Sequence, residues 1–290
     1  MYKKSFTWIM AWVMTVIATA VSFTACSSDE DMNVPVSQSS EYEELMDALE
    51  NYSSLFTAEH GMVSRGDLGW GKFKESVKAD HLGYNNGSTV LSISASRKKW
   101  KELKREELQK QLETYEMAPA ERTAIKAQVD SLKSIYKADA SNIGAIHNAV
   151  ILQTLLDDDM DFNTTEELVQ SVVGAMNKLD VSVPNLDMQK TVEEVNDFFD
   201  TIYDSDITVM YDRLTVKYPE RKEEFKILNQ YLLTTENLNS VEDIVEFSNG
   251  YSKIIDQSKI SPSVKTELKS NISIAPASHN LWRTVDVFAK

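Results

Sequence analysis

The chain has 290 residues, with 30 basic against 45 acidic side chains and a formal charge of −15. That balance excludes a nucleic-acid binder, which needs basic surface to displace counterions, and it opposes attachment to anionic lipid through bulk charge. A single cysteine, Cys26, excludes intramolecular disulfides and cysteine-rich zinc sites.

Residues 1–5 carry Lys3 and Lys4, residues 6–25 carry no charge, and the small residues Thr24 and Ala25 lead directly into Cys26. A basic start, an apolar stretch and a small-residue end form a cleavable export signal. Phe23-Thr24-Ala25-Cys26 resembles a bacterial lipobox, with Phe23 where leucine is more usual. The resemblance implies cleavage after residue 25 and diacylglycerol on the Cys26 thiol. Further acylation then gives the second chain that stable anchoring requires. Removal of residues 1–25 takes the charge from −15 to −17, because only Lys3 and Lys4 are lost. Residues 26–40 then read as the lipidated cysteine and a polar, flexible tether. The acids Asp29, Glu30 and Asp31 resemble the surface-export signal of Bacteroidetes lipoproteins.

Beyond the tether the apolar period is helical nearly throughout, which predicts an all-α, bundle-like domain. Tyr42, Leu45, Met46, Leu49, Tyr52 and Phe56 make one stripe over 41–57. Six of the nine glycines fall within residues 61–87, which predicts an irregular segment there. Thr89–Ser94 alternates and is the one short strand candidate. Residues 96–117 and 119–136 read as a helical hairpin, with Pro119 in the first turn of its second arm. Residues 140–156 predict a strongly apolar helix. Thr164 or Thr165 is expected to cap the next helix, and Asp187 the one after. Further helices are expected over 206–217, 219–233, 240–258, 262–271 and 279–289. The glycine-rich segment suggests an N-terminal region over 41–138 and a C-terminal domain over 139–290.

Candidate chemistry is sparse. Asp157, Asp159 and Asp161 sit at the first three ligand places of a calcium loop, but Phe162 and Leu168 occupy the glycine and glutamate places, so no metal site is expected. His147 lies on or beside the apolar face of its helix, and Gly144 is one turn before Asn148. Gly144 is expected to admit a neighbouring backbone, and the His147-Asn148 pair to hydrogen-bond a neighbouring loop, as buried polar groups must. His279 and Asn280 form a second such pair that can meet the first. Trp70, Lys72, Phe73 and Lys74, with Val77 and Lys78, form a basic amphipathic stretch and a candidate interface. No nucleophile elbow, phosphate loop, dinucleotide fingerprint or zinc-protease motif is present, and no cofactor is expected.

The signal with acids after Cys26, the Gly144–Asn148 stretch and the C-terminal run "VKTELKSNISIAPASHNLW" together resemble a family of lipoproteins from Bacteroidales gut bacteria. No activity attaches to that family, so the resemblance brings no catalytic residue. The sequence expectation is an outer-membrane lipoprotein, lipid-anchored and facing the cell surface, with the periplasmic face as the alternative. Its helical domain would bind a protein or a host or competitor component. The two alternatives are a hydrolase centred on carboxylates or His147, and a metal or small-molecule module at the 157–161 turn.

Overall fold

The computed structural model describes residues 36–60, 71–84, 88–112, 117–157, 162–183, 186–204, 206–238 and 240–288. The protein is all-α: the described residues form eleven α-helices and no strand. They are α1 (Val36–His60), α2 (Gly71–Gly83), α3 (Thr89–Leu112), α4 (Pro119–Ala138), α5 (Ile143–Leu156) and α6 (Thr165–Lys178). After them come α7 (Met188–Asp197), which runs on into a π turn (Phe198–Ile202), and α8 (Ile207–Lys217). A 3₁₀ turn (Pro219–Arg221) leads into α9 (Lys222–Thr235), followed by α10 (Val241–Gln257) and α11 (Pro262–Phe288). None of the described helices is long and apolar enough to cross a membrane.

Most helices start where local chemistry supplies partners for their free N–H groups. Pro119 opens α4, and the Glu121 carboxylate accepts from the Ala118 N–H at 3.0 Å. The Thr164 hydroxyl accepts from the Glu167 N–H at 3.1 Å, while the Glu167 carboxylate accepts from the Thr164 N–H at 3.3 Å. That reciprocal box starts α6. Asp187 caps α7 through the Lys190 N–H, Asp206 caps α8 through the Thr208 and Val209 N–H groups, and Ser240 caps α10 through the Asp243 N–H. Such a cap contributes about 1 kcal/mol.

Packing does the rest. Helix α5 is apolar on every side, which suits only a buried position: Ala149, Val150 and Ile151 have no exposed surface. It packs on α3, α4, α6 and α11. Helix α11 in turn touches α2, α5, α9 and α10. Helix α1 lies on α10, where Tyr52 stacks on Phe247 with ring centroids 5.4 Å apart. One contiguous core runs from Leu45 to Leu281, and Ser37–Lys290 forms one compact unit. The expected division at residue 138 therefore separates no two cores.

Several expectations are corrected. Thr89–Ser94 is helical, not a strand. Its serines Ser92 and Ser94 are fully buried because small side chains let α2 close on α3, and a Cβ on Gly83 would stand 2.9 Å from the Ser92 Cα. The glycine-rich segment holds a helix, α2, framed by Gly71 and Gly83. Helix α1 starts at Val36, five residues inside the expected tether. The gap expected between 271 and 279 is absent, since α11 runs through Pro276. Proline there has no N–H for the Ile272 carbonyl. The Tyr231 hydroxyl donates to that carbonyl at 3.2 Å instead.

Helical glycines divide by what surrounds them. Nothing lies within 4 Å of a Cβ built on Gly174 in α6. Gly174→Ala should therefore stabilise the domain by about 0.5–1 kcal/mol, the ordinary helical difference between the two residues. Urea unfolding measures this directly, and a loss of stability would show that the α6 surface is covered.

Candidate functional site

The polar centre of the fold lies where α2, α5 and α11 meet. His147 and Asp80 have no exposed surface, and His147 Nε2 lies 2.7 Å from Asp80 Oδ1. His147 Nδ1 lies 3.0 Å from Asn148 Oδ1, and Asn148 Nδ2 donates to the Ala277 carbonyl at 2.9 Å. The Ser278 hydroxyl donates to Asp80 Oδ2, and the Ser92 hydroxyl donates to the Asp80 carbonyl at 2.7 Å. The expected use of His147 and Asn148 is therefore met, but their partners are two helices rather than a loop.

The protonation follows from these contacts. Because the Asn148 amide nitrogen faces Ala277, its oxygen faces His147, and Nδ1 must carry a hydrogen. Nε2 faces the Asp80 carboxyl at hydrogen-bond distance, which favours the doubly protonated ring. Burial pulls its pKa down, but the Asp80 charge and the hydrogen bonds that the ring donates to Asp80 and Asn148 outweigh burial and raise it above the ordinary histidine value. Opposite charges held against each other cost less than either one buried alone.

This constellation contains Ser, His and Asp but is not arranged for nucleophilic catalysis. Ser278 donates to the carboxylate, not to the imidazole, and both ring nitrogens of His147 are already engaged. Ser278 has no exposed surface either. The arrangement ties three helices together.

The neighbouring histidine behaves in the opposite way. His81 is fully buried, its Nδ1 lies 3.2 Å from the Tyr211 hydroxyl, and its Nε2 meets no partner. Burial pushes its pKa down to about 3. Opposite pH dependences follow. The unfolded chain takes a proton near pH 6.5 that folded His81 refuses, so its contribution is present above about pH 6.5 and is lost as pH falls toward 3. The His147 contribution is present below about pH 6.5 and is lost as pH rises through its elevated folded pKa. His81→Phe should flatten the acid limb of the stability profile, whose histidine slope is about 1.4 kcal/mol per pH unit. Urea unfolding at pH 5 and pH 7 reads this. An unchanged slope would mean that His81 is protonated inside the fold.

The same helices build a surface feature. A groove of about 700 Å³ opens between α4 and α10, with α11 as its floor. Leu132 and Ile135 line the α4 wall, and Val241 and Val245 line the α10 wall. Ile135 is 44% exposed and Val245 40% exposed. Small residues Ser270, Ser273 and Ala277 form the floor. Asn148 and Asn280 both line the groove, so the two predicted His-Asn pairs share a site through their asparagines. His279 is buried, and the occupied ring nitrogens of His147 leave it no hydrogen bond to His279. Lys269 is held by Asp256 at 2.9 and 3.0 Å. Hydrogen bonds from the Ser141 side chain and backbone hold the Asp139 carboxyl below the usual range.

The other candidates fare differently. The Asp157 carboxylate accepts from Lys178 at 2.7 Å and from Gln153 at 3.0 Å, so a cation of the chain already sits on it. Asp159 and Asp161 lie outside the described residues, as do Cys26, Trp70 and the side chains of Lys72, Phe73 and Lys74. No cluster of three metal-ligating side chains occurs among the described residues. Lys78, part of the basic stretch read as a candidate interface, is buried between Glu75 and Glu236 at 2.9 Å from each. Arg221 bridges Glu224 and Glu267, and burial raises the Glu267 pKa above the usual carboxylate range.

Sequence reasoning missed two residues. Asp80 follows Val77 by three places, which puts an acid on the buried face of α2; that mismatch is the signal that marks it. Arg97, buried on α3, donates to Ser171 at 2.8 Å; it stands in a run of basic residues, where nothing marks it as interior. In comparisons with known proteins, no family model, no curated protein and no solved structure matches this chain.

Proposed function

We propose that the chain is a lipid-anchored, non-enzymatic binding module of the bacterial outer membrane, displayed on the cell surface and holding a partner in the α4–α10 groove. The groove carries this reading: it is the place where exposed aliphatic side chains, Ile135 and Val245, face one concave surface. Pairs of such residues around a cleft mark binding surfaces. The anchor rests on Cys26 after Thr24-Ala25, and surface display rests on the acids at 29–31. The likeness to Bacteroidales lipoproteins points the same way. Burial of His147, Asp80 and Ser278 removes the reason to centre a hydrolase on His147, and the Lys178 contact weakens a metal reading at Asp157.

Feeding producing cells an alkyne-tagged palmitate tests the anchor. The expected result is label on the wild-type protein and none on Cys26→Ala, which should also stay longer by its uncleaved signal. Equal labelling of both would overturn the lipoprotein reading.

A further inference from the structure

We propose that the groove is built to receive one amphipathic α-helix of a partner protein, about three turns long, with a basic residue at the Glu242 end; this deepens the binding-module reading and rests on it. Shape is the first argument. Helices α4 and α5 on one side and α10 on the other flank α11, and the floor runs along α11 from Lys269 to Asn280. Eleven steps of about 1.5 Å make roughly 16 Å, or three helical turns. The trough has the form of a helical bundle lacking one member. Its floor of serine and alanine allows a helix to approach closely, and the walls offer aliphatic ridges for packing at ordinary interhelical distances of about 8–10 Å.

Chemistry narrows the occupant. No aromatic ring lines the groove among the described residues, which disfavours a sugar ligand that would stack on one. The groove is open along its length, whereas a small-molecule site encloses most of its ligand. An apolar helix face laid between aliphatic walls fits such a trough. Charge then sets the sign. Lys269 lies within the field of Asp139 and is held by Asp256, so the Asp139 end already carries a cation of the chain. Glu242 is exposed at the opposite end, and no ion pair to it occurs among the described residues. A basic partner side chain complements it. A second copy of this chain, with a formal charge of −15, would meet like charge instead.

The test places a photo-crosslinking benzoylphenylalanine at Val245 in the full chain, in producing cells, with Val216 on α8 as the control site. Val216 is 84% exposed and is not part of the groove lining. The adduct is mapped by mass spectrometry to a peptide. The expected peptide belongs to another protein, has apolar residues at i, i+3, i+4 and i+7, and carries lysine or arginine at one end. Its yield should fall about ten-fold with Ile135→Glu on the opposite wall. A synthetic copy should bind the purified chain, and Glu242→Gln should weaken that binding about ten-fold. Both substituted residues are exposed, and melting of the variants checks that they fold. An adduct within the chain or to a second copy, a peptide without a helical apolar period, or no yield above the Val216 control would each overturn the proposal. Protease treatment of the same cells separates the two readings. A helical partner with a protected domain keeps the groove assignment and rejects surface display, whereas an accessible domain with no adduct does the reverse.

Discussion

Asp80→Ala should destabilise the domain by about 3–5 kcal/mol, the range for removing one member of a buried ion pair. The loss has two sources. His147 is left as a buried cation or must give up a proton, and Ser278 loses its acceptor. His147→Ala should cost a similar amount, since it strands the Asp80 carboxylate in the same apolar surroundings. The double variant should lose much less than the sum, because each group is the buried counter-charge of the other. Urea unfolding of the four proteins gives the coupling energy. Additive losses would mean that the two side chains act separately.

Gly144→Val should be nearly as damaging, by about 2–4 kcal/mol, and Gly144→Ala less so. A Cβ at this position would stand 2.4 Å from the Ser273 carbonyl oxygen and 2.8 Å from the Ala277 Cβ. The first is backbone and cannot swing aside, so α5 and α11 must separate. Helix propensity alone would favour alanine by about 1 kcal/mol, as at Gly174; overpacking typically costs about 1–3 kcal/mol and reverses the sign. Separation would also stretch the Asn148 bond to the Ala277 carbonyl and widen the groove floor. Thermal melting of Gly144→Ala beside Gly174→Ala makes the contrast internal: one should fall and the other rise.

Local signals in the sequence were informative where the local chain decides the structure. Thr164, Asp187 and Pro119 start their helices as their residue types predict. The apolar run over 140–156 became the buried central helix, and Gly144 admits a neighbouring backbone as expected. What stayed hidden depends on partners distant in sequence. Pro276 looks like a helix break until Tyr231, 41 residues away from Ile272, supplies the missing donor. Asp80 looks like one more acid in an acidic chain until His147, 67 residues away, is placed against it. The groove has no signature of its own, because its walls come from α4 and α10, which lie far apart in the sequence. Thr89–Ser94 alternates like a strand because a helix buried on most sides by small serines shows no single polar face.

The most direct measurement is protease treatment of intact producing cells, following a tagged chain beside Cys26→Ala and a periplasmic marker. The wild-type protein should be digested while the marker survives, placing the groove where an outside partner can reach it. Protection of the protein until the outer membrane is broken would contradict surface display and confine the partner to the envelope.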